Sequence, residues 1–303
     1  MSGKKKTVSE KDIKNAVRFA KKYPLIAAVI VLFVIGLFIW QGIENRSNAV
    51  TEPLDGLYAH FIDIGQGDAE LVSCGGEYML IDGGEVDKGD ELVRYLADAG
   101  VKKLEYIVCT HGHSDHCGGL DDVLDSFEVG EIFTSPYPGD KKAYEIFVDA
   151  AEDAGVAVTV PELSGSYKLG DAEFEFIGPV EEYDDINANS LVLRLTYGDT
   201  SFLYTGDMTA KAEKDIIADG MNVRCDVLKV GHHGSSGSSC YQFLYEAQPK
   251  LAVISCETGN SYGHPHEETL SRLRDADVEV FRTDLEGSIV LYSNGMEVTR
   301  PAA

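Results

Sequence analysis

Alternating apolar and polar positions divide the chain beyond about residue 55 into short strands and longer helices. The first three strand patterns are separated by glycine-rich turns, which predicts an antiparallel meander over residues 57–64, 69–73 and 78–81. Helical periodicity then alternates with short apolar runs. The predicted helices are 90–99, 120–127, 141–154, 209–218, 239–246 and 267–275. The further predicted strands are 106–109, 131–133, 156–160, 173–177, 191–197, 201–204, 227–230 and 251–255. Two mixed sheets packed face to face with helices outside, an αββα sandwich, would accommodate this order.

A different pattern marks the N-terminal part. Residues 23–43 contain no charged side chain, and at about 1.5 Å per residue they are long enough to cross the hydrocarbon core of a bilayer. We predict a basic tail at 1–22, one transmembrane helix at 23–43, a linker at 44–54 and a catalytic domain at 55–303. A cleaved signal peptide is the alternative, but the long basic leader and the lack of an A-x-A site disfavour it.

The charge distribution suggests an orientation for this span. Residues 1–22 carry eight basic and two acidic side chains, whereas the far flank is only weakly charged. The excess of positive charge predicts a cytoplasmic N-terminus and an extracytoplasmic catalytic domain in the cell membrane.

The composition limits the choice of substrate. The chain has 303 residues, a net charge of −25 and 44% apolar residues, which is enough for a packed core. The N-terminal tail carries a net charge of +6, so the rest of the chain carries about −31 and is strongly acidic. A nuclease that grips long duplex DNA normally has a basic footprint, so a processive nuclease is disfavoured unless a local basic groove exists.

Histidines supply the strongest chemical signal. Seven of the eight lie in three short clusters, and three of them stand with an aspartate in the segment from His111 to His116. This segment follows an apolar run and precedes a predicted helix, so it occupies a loop at a strand end. Imidazole and carboxylate ligands together suit zinc, manganese or iron. The six cysteines show no C-x-x-C pair, and only Cys117 adjoins the cluster.

The motif H-x-H-x-D-H, formed by His111, His113, Asp115 and His116, resembles the signature of the metallo-β-lactamase fold. Segments 78–84, 203–207 and 231–232 fit the same family in the same order. Segments 60–69, 187–195, 228–235 and 262–266 are similar to the C-terminal hydrolase domain of the competence protein ComEC. The resemblance covers residues 55–300 and implies the αββα architecture. ComEC has many membrane helices, and this chain is predicted to have one.

The resemblance implies a site for two divalent metal ions, zinc or manganese. Its predicted ligands are His111, His113, Asp115, His116, Asp207 and His232. The resemblance assigns the first two to one metal and Asp115, His116 and His232 to the other, with Asp207 as the bridge. His233 is the alternative to His232, since both follow one strand. The third histidine that the family normally gives the first metal is absent, and asparagines stand at that position, so this site is expected to be weaker or completed by water.

Other residues are expected to support the site. The predicted catalytic residues are Asp115, His264 and Asn189, with His264 as a proton donor or phosphate contact. Asp82, and with it Asp63, is expected to orient a ligand histidine. The run 234–239 is interpreted either as a flexible turn or as a phosphate-binding loop at a helix N-terminus.

These features predict a membrane-anchored metal-dependent hydrolase. A hydroxide held between two ions would attack the phosphorus of a phosphodiester, such as single-stranded DNA or a nucleotide, and no side-chain nucleophile would be needed. The alternatives are another ester, a phosphocholine or cell-wall phosphodiester, and a non-catalytic accessory subunit of a DNA-uptake apparatus.

Overall fold

The computed structural model describes residues 55–139 and 141–301. They form two β-sheets between two layers of helices, so the predicted αββα metallo-β-lactamase sandwich is confirmed for this part of the chain. The first sheet has the strand order β15-β14-β1-β2-β3-β4-β5-β6. Its strands are β1 (Leu57–Phe61), β2 (Glu70–Cys74), β3 (Glu77–Ile81), β4 (Lys103–Cys109), β5 (Glu128–Thr134), β6 (Val158–Thr159), β14 (Ile289–Ser293) and β15 (Val298–Thr299).

The second sheet faces the first and has the order β13-β12-β11-β10-β9-β8-β7. Its strands are β7 (Ser166–Leu169), β8 (Ala172–Gly178), β9 (Val192–Tyr197), β10 (Thr200–Tyr204), β11 (Val227–Lys229), β12 (Leu251–Ile254) and β13 (Glu279–Arg282). The helices are α1 (Gly89–Asp98), α2 (Ser114–Cys117), α3 (Leu120–Ser126), α4 (Lys142–Ala154), α5 (Ala210–Ala218), α6 (Tyr241–Ala247), α7 (Glu267–Asp275) and α8 (Thr283–Glu286).

Three apolar layers hold these elements together. The central layer lies between the sheets and is rich in aromatic rings, with Phe61 stacked on Tyr204 at 6.0 Å and Tyr106 set edge-on to Phe174 at 5.2 Å. A second layer packs α1, α3 and α4 on the first sheet, and a third packs α5, α6 and α7 on the second. Each sheet is therefore covered on both faces, which explains why every residue of the central strands β2 and β10 is buried.

The strand directions bring one end of each sheet to the site. In the first sheet β3 runs parallel to β4, with Leu80 paired with Ile107. In the second, β10 runs parallel to β11, with Leu203 paired with Leu228. The carboxyl ends of these parallel strands lie side by side, and the loops that follow them carry the motifs.

The predicted elements are found within a few residues of their expected ends, including the meander β1-β2-β3 and helix α7. Strands β7, β13, β14 and β15 were not predicted. They lie at or next to the sheet edges, where fewer buried positions produce a weaker apolar pattern. The histidine motif was predicted as a loop, but its Ser114–Cys117 part is the helical turn α2.

Within the described ranges no helix is long and apolar enough to span a membrane. The predicted tail, transmembrane helix and linker, residues 1–54, lie outside these ranges.

Candidate metal centre

The candidate ligands all follow strands whose carboxyl ends meet. His111, His113, Asp115 and His116 come after β4, Asp207 comes after β10, and His232 and His233 come after β11. The structure therefore brings the six predicted ligands and the alternative His233 to one end of the sandwich. It divides them into two groups about the Asp207 carboxylate.

The first group contains His111, His113 and Asp207, whose ligand atoms all lie within 4.8 Å of one another. His111 Nε2 is 3.2 Å from His113 Nδ1 and 3.9 Å from Asp207 Oδ2. Three converging ligand atoms of this kind can hold one divalent ion.

The second group contains Asp115, His116 and His233, again within 4.8 Å. His233 Nε2 lies 3.3 Å from Asp115 Oδ2. Asp207 Oδ1 lies 3.3 Å from His116 Nε2 and 3.6 Å from His233 Nε2. The two oxygens of Asp207 thus face different groups, which is the arrangement a bridging carboxylate requires.

Hydrogen bonds at the far side of the rings fix which nitrogen faces the centre. His116 Nδ1 donates to Asp82 Oδ2 at 2.8 Å, and the Asp82 carboxylate also accepts from the Thr110 amide and hydroxyl, both at 2.7 Å. His111 Nδ1 lies 3.1 Å from Thr110 Oγ1 and 3.3 Å from Ser190 Oγ. Since both nitrogens are engaged outward, the Nε2 lone pairs of His111 and His116 are left for a cation. The expected orienting role of Asp82 agrees with these contacts.

A buried ion pair that the motifs did not suggest supports His233. Lys229 Nζ lies 2.6 Å from Asp68 Oδ2, and each of these side chains is only 1% exposed. Asp68 Oδ1 and the Ser255 carbonyl are both 3.1 Å from His233 Nδ1. Asp68 therefore orients His233 as Asp82 orients His116, and Lys229 balances the charge of Asp68. Glu70 Oε1, 3.9 Å from Lys229 Nζ, is buried beside this pair.

The pKa shifts follow from these contacts. Burial alone would raise the pKa of Asp68, but the Lys229 ammonium and His233 hold it below its usual value. Burial opposes charge on Asp207 as well, yet His116 and His233 keep its pKa well below the usual range. The pKa of Glu70 is raised well above its usual value by burial and by Asp68. Asp68 and Asp207 are therefore anions, whereas Glu70 is held towards its neutral acid form.

Unsatisfied polar atoms test whether a metal fits here. His116 Nε2, Asp207 Oδ1 and His233 Nε2 are buried and make no hydrogen bond within the described part of the chain. Buried polar atoms normally have partners, and these three converge on one point. A divalent cation would satisfy them all, so the residues fit the ions that the fold implies.

His232 does not take the predicted place beside Asp115 and His116. Its ring is partly exposed, and Nε2 lies 3.6 Å from Asp207 Oδ2 and 3.4 Å from Asn187 Nδ2. His233 occupies the second group instead. Both residues have left-handed backbones, with φ of 53° and 51°, and this local turn decides which ring enters the buried centre.

Asn189 is not placed for the catalytic role predicted for it. Its side-chain oxygen accepts from the Tyr183 amide at 2.9 Å, and its nitrogen donates to the Tyr183 carbonyl at 2.8 Å. These bonds hold the preceding loop together. Asn187 instead lines the cavity and contacts His232, so the asparagine beside the metal groups is two residues earlier.

His264 does line the cavity, with its ring centroid 5.4 Å from that of His232. Burial and the neighbouring His232 and His233 lower the pKa of His264 to about 4. The ring is therefore neutral at pH 7. This agrees with a hydrogen-bonding contact to phosphate better than with the alternative of a ready proton donor.

Asp63 and the run 234–239 do not have the functional roles considered for them, and Cys117, which adjoins the histidine cluster, does not belong to it. Asp63 is exposed, and its carboxylate accepts from the Gly65 amide at 3.4 Å, so it does not orient a ligand. Cys117 is buried in the apolar layer beneath the first sheet. The amides of Ser239 and Cys240 donate to the buried Glu213 carboxylate, with the second bond 2.8 Å long. A protein carboxyl group thus already caps the N-terminus of α6, so the run 234–239 is not a phosphate loop.

The two groups open onto a cavity of about 490 Å³. Its lining combines ligands with Asn187, Tyr262, His264 and two lysines, Lys141 and Lys142. These lysines bring positive charge to a lining that also contains Glu85, and Lys142 pairs with Glu145 at 3.3 Å.

Comparison with known proteins agrees with the fold and the motif. The family model of the metallo-beta-lactamase superfamily matches residues 62–258. The chain belongs to this superfamily, and it has the fold of the superfamily's metal-dependent hydrolases.

The chain is also similar to curated proteins that include a competence protein. It is 33% identical over 253 residues to ComE operon protein 3 of Bacillus subtilis, covering 75% of this chain and 32% of that protein. It is 34% identical over 231 residues to competence protein ComA of Neisseria gonorrhoeae, covering 75% and 31%. The chain therefore spans about a third of these relatives' length. They confirm the predicted resemblance to competence proteins.

Solved structures support the fold alone. YhfI of Bacillus subtilis, a metallo-beta-lactamase fold protein, matches with a TM-score of 0.54 and 13% identity over 78% of this chain and all of that one. CmlA of Streptomyces venezuelae, a diiron β-hydroxylase, matches with a TM-score of 0.54 and 13% identity over 79% and 54%.

The buried pair gives a first prediction. Lys229→Met should lower the free energy of unfolding by about 3–5 kcal/mol, because it leaves the Asp68 carboxylate buried without its cation. Urea unfolding of the metal-free protein measures this loss. Lys250→Met is the matched control, since its 2.8 Å pair with Asp226 is exposed and should contribute little. Adding Asp68→Asn to Lys229→Met should recover part of the loss. Equal stability of the Lys229 and Lys250 variants would contradict the role given to this pair.

The two adjacent histidines give a second prediction. After reconstitution with zinc, His233→Ala should lose about one ion per chain relative to the unsubstituted protein, because a ligand of the second group is removed. His232→Ala should retain that ion. Elemental analysis with protein quantification measures both. The reverse result would restore His232 as the ligand.

Proposed function

We propose that the protein is a two-metal phosphodiesterase whose ions are zinc or manganese. The observation that carries this proposal is the Asp207 carboxylate, whose Oδ2 faces His111 and whose Oδ1 faces His116 and His233. Two such ions supply an activated water and withdraw charge from a phosphoryl oxygen. The ligand groups contain imidazoles and carboxylates and no thiolate among the described residues, which suits either metal.

The chain's own residues prepare the site for an anionic substrate. Asp82 and Asp68 hold the rings of His116 and His233 in place, so the ligands need not reorganise when substrate arrives. Lys141 and Lys142 bring positive charge to the cavity. His264 and Asn187 present nitrogen donors to a phosphoryl oxygen from the cavity wall.

The relatives support a nucleic-acid context. One is named a competence protein and another a recombination protein, and we infer that this chain acts on single-stranded DNA or a nucleotide during DNA uptake or degradation. Because those proteins are about three times longer, translocation is not assigned to this chain.

Metal-dependent hydrolysis tests the activity. The purified protein should cleave bis-p-nitrophenyl phosphate when manganese or zinc is added, and chelation should stop it. Asp207→Ala and His113→Ala should reduce the rate to background, because each removes a ligand. The exposed Asp219→Ala is the matched control and should retain the rate.

Other substrates decide between the alternatives. Cleavage of a β-lactam or of a phosphocholine ester with no cleavage of other phosphodiesters would overturn the assigned substrate. Failure to bind a second ion, together with no hydrolysis, would favour a non-catalytic accessory subunit.

We further propose that residues 23–43 anchor the domain on the outer face of the cell membrane. The support is the uncharged segment and the basic residues before it. In intact cells that produce the full chain, added protease should digest the domain and spare the basic tail. A domain that stays protected while a known surface protein is cut would place the site in the cytoplasm.

A further inference from the structure

We propose that Tyr262 is a stacking platform for a nucleobase of the substrate. This inference rests on the proposed phosphodiesterase function and narrows its substrate to a strand or nucleotide with a base beside the phosphodiester in the metal site.

The first observation is the exposure of Tyr262 at the cavity. Tyr262 is 64% exposed and lines the same cavity as Asp207. Because burial of an aromatic side chain lowers the free energy, a ring left exposed here is available to a ligand. The other strongly exposed tyrosines in the described ranges, Tyr241 and Tyr245, are on α6 and do not line this cavity.

The second observation is a column of rings that leads from Tyr262 to the metal groups. Tyr262 stacks on His264 with centroids 5.6 Å apart and planes at 22°. His264 stacks in turn on His233, with centroids 6.2 Å apart and planes at 28°. One face of Tyr262 is thus covered by His264, and the exposed ring can receive another flat ring. A base there would lie beside a phosphate at the metal groups.

The third observation is that the loop is held rigid although its tyrosine is exposed. The Asn260 side-chain oxygen accepts from the amides of Tyr262 and His264 at 3.1 and 3.0 Å. Its nitrogen donates to the carbonyls of Glu257 and His264 at 2.8 and 2.6 Å. His266 Nε2 donates to the Tyr262 carbonyl at 3.2 Å, and its Nδ1 accepts from the Ser236 amide at 2.9 Å. Binding therefore requires little further ordering of this loop, so the entropy cost of binding is small.

The chemistry of the lining favours a base over a quaternary ammonium. Cages for such cations surround them with several aromatic faces. Among the described lining residues Tyr262 is the single phenylalanine, tyrosine or tryptophan ring. One open face suits a flat base, while Lys141 and Lys142 suit the phosphates that accompany it.

The test compares two strands that differ in their bases alone. Fluorescein-labelled octathymidylate and an abasic octamer with the same phosphates are titrated with the full-length protein in EDTA, so that neither is cut. The dissociation constant of the abasic strand should be about fivefold or more above that of octathymidylate. The ratio cancels the phosphate contribution and does not depend on catalysis.

Variants identify the platform. In Tyr262→Ala the ratio should fall close to one, and in Tyr262→Trp it should be retained, because indole also stacks. Tyr245→Ala, an exposed tyrosine away from the cavity, should keep the ratio of the unsubstituted protein. Circular dichroism verifies that each variant is folded.

The outcomes separate the two proposals. Equal binding of both strands, binding of neither, or an unchanged ratio in Tyr262→Ala would overturn the platform. Cleavage of p-nitrophenyl phosphorylcholine with equal binding of both strands would overturn it in favour of a choline site. Preference for the base-bearing strand without hydrolysis of any phosphodiester would leave the platform standing and refute the proposed activity.

Discussion

The site depends on one buried anion, the Asp207 carboxylate. A carboxylate that is 3% exposed is stable only if cations or hydrogen-bond donors surround it. Here imidazoles approach its two oxygens from different sides, His111 at Oδ2 and His116 and His233 at Oδ1. These rings come from both sheets, so the electrostatics of the site and the packing of the sandwich are coupled. Two cations bound between these ligands would neutralise the negative charge that the fold concentrates at Asp207.

Two aspartates of the first sheet give the same support to one histidine from each sheet. Asp82, after β3, holds His116 through Nδ1, and Asp68, before β2, lies beside Nδ1 of His233. The two aspartates differ in how their charge is balanced. Asp82 accepts from the Thr110 amide and hydroxyl, whereas Asp68 faces the Lys229 ammonium. A lysine in the core is therefore part of the metal centre's support, although it would contact neither ion.

The loop at the edge of the cavity is held by hydrogen bonds, as the metal ligands at its centre are. Asn260 and His266 tie the loop that carries Tyr262, so the exposed ring and the buried ligands form one continuous column through His264. Metal ions bound at the inner end would suit the phosphate of a substrate, and the aromatic face at the outer end would suit the base attached to that phosphate. Under the proposed function, this arrangement would let an acidic domain select a nucleic acid without a broad basic surface.

The sequence alone determined the fold class, most elements and the cluster from His111 to His116, because apolar period and ligand spacing are local properties. It also identified Asp82 and Asp207 through their motifs. Tertiary structure decided the rest. The choice of His233 over His232 depends on two left-handed residues in one turn, and the choice of Asn187 over Asn189 depends on which amide the Tyr183 backbone engages. Lys229 and Asp68 are 161 residues apart, and although each lies in a recognised segment, nothing in those segments predicts that the two side chains pair. Their pairing exists only because both sheets bury them at the same point, where neither charge is stable without the other.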